Sequence, residues 1–139
     1  MIDCVILGDS IAVGLHSIKP ECYVYAKGGI NTSQYNKNYD GEFYSGNVII
    51  SLGSNDHKYV NTRQELENLR NRILAKQKVY WILPAGNLKA SEVPIENIQK
   101  IVKDIAEKNG DIVIPITGLS KDKIHPTTNG YKELAEKTK

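Results

Sequence analysis

Along this chain apolar residues come in short runs, separated by polar stretches whose hydrophobic positions have helical spacing. The runs Cys4–Leu7, Tyr23–Ala26, Val48–Leu52, Val79–Leu83 and Ile112–Ile114 read as β-strands. The third and fourth are almost wholly apolar, as central strands covered on both faces are. Thr62 followed by Glu65 has the spacing of a capping box and predicts a helix running to about Lys76. Pro94 suits the first turn of a further helix, where its missing N–H costs nothing. Ile95, Ile98, Ile101, Val102 and Ile105 then share one face of that helix, and Asn109-Gly110 closes it with a left-handed glycine cap. A last helix is expected from Asn129 to Lys137. Strand and helix in alternation imply parallel β-α-β construction. The expected fold is therefore α/β, a three-layer α/β/α sandwich with a five-stranded parallel sheet, in one domain spanning 1–139.

The stretch from Asn31 to Asn47 departs from this pattern. It is polar, rich in Tyr, Asn, Ser and Gly, and carries Tyr35, Tyr39 and Tyr44. One reading is a surface loop around a short helix. The other is one wall of a substrate cleft, because loops carry sites disproportionately and tyrosine and amide side chains suit sugar hydroxyls.

Composition narrows the function classes. The 18 basic and 16 acidic residues leave a net charge of +2, with the lysines scattered among acids. A nucleic-acid binder would show a clustered basic face, so no nucleic-acid partner is expected. The start, Met1-Ile2-Asp3-Cys4, lacks the basic region, long apolar core and cleavage site of a secretory signal. No segment approaches the ~20 apolar residues of a membrane span. The expectation is a soluble protein, cytoplasmic as synthesised, that reaches an outside substrate by lysis, by particle assembly or never. Cys4 and Cys22, the two cysteines, are both read into strands and expected to be reduced core residues, since disulfides are rare without export. No short Cys or His pairing gives a zinc spacing, so neither metal nor cofactor is expected.

In an open parallel sheet, ligands bind beyond the carboxyl ends of the strands. After the first strand comes Gly8-Asp9-Ser10-Ile11, which opens a helix. A serine there exposes its hydroxyl at the sheet edge, backed by N–H groups that favour negative charge. Alone, this block reads better as an N-cap serine. After the second strand come Gly28 and Gly29, able to offer a bare N–H to an oxyanion, or simply to turn the chain. After the third comes Gly53-Ser54-Asn55-Asp56, a polar turn whose Asn55 amide is a further oxyanion donor. Past the fifth comes Asp122-Lys123-Ile124-His125-Pro126. There a carboxylate three residues before a histidine can meet one ring nitrogen and leave the other free for a serine.

Together, Gly8-Asp9-Ser10, Gly29, Gly53-Ser54-Asn55-Asp56 and Asp122-x-x-His125 resemble the four motif blocks of the SGNH (GDSL-like) hydrolases, in order and over essentially the whole chain. The resemblance implies the flavodoxin-like fold of that superfamily and an esterase mechanism without cofactor. Ser10 is the implied nucleophile, His125 the base and Asp122 its partner. Ser10, Gly29 and Asn55 form the implied oxyanion hole, with Gly28 the alternative to Gly29. Asp9, Gly28, Asp56, His57 and Tyr35 are the further candidates for substrate contact. The first block has isoleucine where the name-giving motif has leucine, and the chain is short, so insertions that shape a deep acyl pocket are expected to be missing.

Other matches carry less. Gly8-x-Ser10-x-Ala12 lacks the last glycine of the α/β-hydrolase elbow. Gly41 and Gly46 have phosphate-loop spacing without the following Lys. Asn31-Thr32-Ser33 is a glycosylation sequon that means nothing without export. His16 reads as a helix-face residue. The favoured partner is an ester substrate, an O-acetylated carbohydrate. The alternatives are a lipid or thioester hydrolase with an apolar acyl channel, and an inactive glycan-binding relative.

Overall fold

The computed structural model describes residues 3–139; the reading of the first two residues lies outside them. Five parallel strands form one sheet: β1 (Cys4–Gly8), β2 (Tyr23–Ala26), β3 (Phe43–Ser51), β4 (Ile73–Leu83) and β5 (Ile112–Pro115), in the order β2-β1-β3-β4-β5. The helices are α1 (Ser10–Ile18), α2 (Thr32–Asn38), α3 (Thr62–Asn71), α4 (Ile95–Asn109) and α5 (Thr128–Lys137). The strand pleat sends alternate residues to opposite faces. Val5, Leu7, Val48, Ile50, Val79 and Trp81 pack against α2, α3 and α4, through Tyr35, Leu66, Leu69, Val102 and Ile105. Cys4, Ile6, Ile49, Tyr80 and Ile82 pack against α1 and α5, through Ile11, Leu15 and Leu134. The expected three-layer α/β/α sandwich is what the chain forms. None of the described helices is long and apolar enough to cross a membrane.

Three expectations change in detail. The helix placed over Thr62 to Lys76 ends at Asn71, and β4 begins at Ile73. Ile73, Leu74 and Ala75 pair with Phe43, Tyr44 and Ser45, which extends β3 and β4 toward their amino ends. Burial of Ile73 and its ladder override a composition that suits helix equally well. The cap is Asn61, whose side chain accepts the Gln64 N–H; Thr62 turns inward instead. On α4, Pro94 stands at the N-cap and Gly110, at φ 72°, at the left-handed C-cap.

The third change concerns the cysteines. Cys4 lies in β1, Cys22 lies just before β2, and they are joined in a disulfide with Cα atoms 4.8 Å apart. Parallel pairing of Val5 with Tyr23 brings the two residues side by side. Both are buried, but they are not the reduced thiols expected.

Candidate active site

Each candidate group is set by the end of a strand or by the loop after it. β1 ends at Gly8, at φ 147°, where a Cβ would collide with the Ser51 carbonyl of β3; only glycine allows this approach. Asp9 follows as the N-cap of α1, its Oδ1 accepting the Ile11 N–H at 3.0 Å and the Ser51 hydroxyl at 3.3 Å. Ser10 is thus the first helical residue rather than the cap, and its hydroxyl stays free of the helix.

That hydroxyl meets His125, with Ser10 Oγ 2.7 Å from His125 Nε2. The opposite ring nitrogen, Nδ1, lies 2.6 Å from Asp122 Oδ2. Asp122 Oδ1 accepts the N–H groups of Ile124 and His125 at 2.8 and 2.9 Å and the Ser120 hydroxyl at 2.8 Å. These donors, the His125 and Ile124 N–H groups foremost, hold the Asp122 carboxyl far below the usual carboxylate range, so it remains charged. A carboxylate can only accept, so Nδ1 carries the proton. Nε2 is then the acceptor, and the serine hydroxyl donates to it. The loop reaches this shape through a left-handed residue, Lys123, at φ 60°, and a short antiparallel bridge between Leu119 and Pro126. The His125 and Asp122 side chains are 38% and 46% exposed, so the proton-transfer line lies open at the surface.

Next to the serine, Lys27 to Ile30 form a tight turn with Gly29 at φ 77°. A Cβ on Gly28 would sit 3.8 Å from that of Ser10, while one on Gly29 would meet nothing within 4 Å. Asn55 is half-buried and donates one amide N–H to the Ile30 carbonyl at 3.1 Å. That bond fixes the amide against the glycine turn and leaves its second N–H unspent. The structure therefore brings Ser10, His125 and Asp122 into one line, with the Gly28–Gly29 turn beside the serine and Asn55 bonded to that turn.

Three proposed substrate contacts are not at the surface. Asp9 is 1% exposed and serves as a cap. Desolvation pushes its carboxyl up to about 7, against the pull of the Ile11 N–H and Ser51 hydroxyl. Asp56 is fully buried; it accepts the Thr32 N–H and hydroxyl at 2.8 and 2.6 Å and the Thr62 hydroxyl at 2.6 Å. Burial raises its pKa as well. Tyr35 is fully buried in the core and donates its hydroxyl to the Tyr25 carbonyl at 2.7 Å. Tyr39 packs on Tyr35, and Tyr44 lies in the amino-terminal part of β3, so these three tyrosines do not wall the serine. His57 is exposed, its Nδ1 accepting the Tyr59 N–H at 3.2 Å. The sequence reading missed Ser120 behind Asp122 and Ser51 behind Asp9. Neither had a signal, because each acts through a hydroxyl placed by tertiary structure.

No protein-family model matches the sequence, and no curated protein matches it. Solved structures do. A GDSL-like lipase from Bacteroides thetaiotaomicron superposes with a TM-score of 0.69 at 18% identity, over 96% of this chain and 83% of that one. The chain carries the GDSL-like hydrolase fold. A member of the lipolytic G-D-S-L family from Veillonella parvula shares that fold with a TM-score of 0.64 at 15% identity, over 99% of this chain and 96% of that one. The C-terminal catalytic domain of peptidoglycan O-acetyltransferase A from Streptococcus pneumoniae, with a methylsulfonyl adduct, gives 0.68 at 18%, over 97% and 89%. Open parallel sheets bind ligands beyond the carboxyl ends of their strands, and Ser10 and Asn55 stand past the ends of β1 and β3.

Proposed function

We propose that the chain is a serine esterase that removes small acyl groups, acetyl above all, from a glycan. The observation that carries this reading is the unbroken line from Ser10 through His125 to Asp122, at 2.7 and 2.6 Å. His125 Nε2 takes the Ser10 proton as the oxygen attacks the ester carbonyl. The N–H groups of Ser10 and Gly29 and the Asn55 amide hold the oxyanion. As the carbonyl re-forms, the C–O bond to the alcohol breaks, and His125 returns the proton to the departing oxygen. Water then attacks the acyl-enzyme with His125 again as base, releasing the acid and restoring Ser10.

Three features favour a small acyl group on a polar carrier. The proton-transfer line is open rather than sunk in an apolar channel. Gly28 and Gly29 are exposed beside it. A fold neighbour is named for O-acetyl transfer to peptidoglycan. The buried Cys4–Cys22 disulfide also suits the oxidising surroundings in which cell-surface glycans are met.

A fluorophosphonate probe tests the chemistry: wild type should be labelled and Ser10→Ala should not. Labelling of both proteins alike would remove Ser10 as nucleophile. Acetyl and octanoyl esters of one phenol test the acyl group. Faster turnover of the octanoyl ester would favour the lipid or thioester hydrolase instead.

A further inference from the structure

The Lys27–Gly28–Gly29 turn forms one side of a cleft of about 340 Å³, and Gln34, Lys37 and Asn38 of α2 form the other. Its inner end adjoins the nucleophile, because a Cβ added at Gly28 would lie 3.8 Å from that of Ser10. The polar side chains of this cleft are all exposed. No carboxylate lines it among the described residues. Elsewhere Lys58 pairs with Glu92, Arg63 and Lys100 with Asp104, and Arg70 with Asp111. Lys27 and Lys37 take part in no ion pair among the described residues. The Gln34 side-chain oxygen is already spent on the Asn31 N–H, which leaves its NH₂ to donate. The cleft thus carries two cations and no carboxylate among its lining residues, and its wall at Gly28 adjoins Ser10. A neutral sugar, which presents donors and acceptors in equal measure, leaves both charges unanswered. An anionic group does not.

We propose that this cleft is the acceptor subsite, and that the glycan is anionic, carrying a carboxylate or phosphate on the esterified sugar or its neighbour. The proposal rests on the reading of Ser10 as an esterase nucleophile and adds to it the charge of the substrate. Lys27 and Lys37 act as specificity residues: they draw the anion in and hold the sugar so that its ester faces Ser10. Such exposed charges work mainly on capture, so they should move KM more than kcat and be weakened by salt.

The test compares three acetyl esters at one hydroxyl: of methyl glucoside, of methyl glucuronoside and of methyl glucoside 6-phosphate. At low ionic strength, kcat/KM should be roughly tenfold higher for at least one anionic ester than for the neutral one, the size expected of two exposed ion pairs. Which anionic ester leads distinguishes carboxylate from phosphate. The preference should shrink toward unity in 0.5 M salt, and in Lys27→Gln and Lys37→Gln at low salt. Equal rates on all three esters, or a preference untouched by salt and by both substitutions, would overturn the subsite while leaving the esterase reading in place. Failure of wild type to turn over any of the three, or 4-nitrophenyl acetate, would remove the underlying reading, and the subsite with it.

Discussion

At the scale of single residues, the proposed chemistry lies with groups whose protons or N–H bonds are already committed by their neighbours. Asn55 spends one N–H on Ile30, so the amide is fixed and the other points away from that carbonyl. On the proposed mechanism Asn55→Ala removes one oxyanion donor, and loss of such a donor costs ~10²–10³ in turnover. Steady-state kinetics on an acetyl ester should therefore show kcat down by that factor, with the melting curve little changed. An undiminished kcat would take Asn55 out of the oxyanion hole. Asp9 makes a different prediction, about stability. Its carboxyl titrates near 7 in the folded chain, against about 3.9 in an unfolded one. Below pH 4 both states hold the proton and pH has no leverage. From there to pH 7 the unfolded state ionises first, so Asp9 makes the fold less stable as pH rises, and above 7 the effect levels off. Asparagine caps helices as well as aspartate and does not titrate. Between pH 5 and 7 wild type should lose about 2 kcal/mol more than Asp9→Asn, measured by urea titration at each pH. Parallel pH profiles for the two proteins would mean that Asp9 is ionised throughout.

At the scale of elements, Asp56 ties the site loop to its supports. Its oxygens take the N–H and hydroxyl of Thr32, the first residue of α2, and the hydroxyl of Thr62, the first residue of α3. Its neighbour Asn55 meanwhile holds Ile30, so adjacent side chains fasten the third-strand loop to the glycine turn and to two helices. Replacement by alanine strands up to three buried donors, each costing about 1–3 kcal/mol if nothing else satisfies them, offset by relief of a poorly solvated charge. Asp56→Ala should lose about 3 kcal/mol and melt about 10 °C lower, visible in a thermal denaturation scan. A change of under a degree would mean the network is dispensable. The element scale also explains what the sequence made legible. Ser10 and Asn55 could be found because each follows a strand end within a few residues, and Asp122 and His125 because they stand three apart in one loop. The start of β4 could not, because Ile73 to Lys78 composes a good helix and its ladder partner, Phe43 to Ser45, lies some thirty residues earlier. Nor could the burial of Tyr35: it depends on α2 packing Thr32 and Tyr35 inward, three residues apart on one face.

At the scale of the molecule, the Cys4–Cys22 disulfide follows from sheet topology rather than from the local sequence around either cysteine. Compartment alone favours free thiols at Cys4 and Cys22, and the pairing of β1 with β2 that overrides it is written in neither segment. Once β1 and β2 run parallel, with Val5 opposite Tyr23, the preceding residues must lie together. Their crosslink closes a loop with a sequence separation of 18. Closing a loop of that length in the unfolded chain is worth about 3 kcal/mol by chain entropy. The sheet edge β2 has a neighbour on one side only and is only partly buried, so it has few other means of staying in place. Cys4→Ser with Cys22→Ser should therefore fold, yet melt roughly 6–12 °C below the oxidised wild type for a domain of this size. Because both sulfurs are buried, reductant should act slowly on the native protein and faster near the melting transition. The decisive comparison is a melt of each protein with and without dithiothreitol. Wild type should shift down toward the double variant, and the variant should not move. Coincident melts of oxidised wild type and double variant would show that β2 is held by its ladder to β1 alone, and that the crosslink contributes nothing to the standing of the sheet on which Ser10 is mounted.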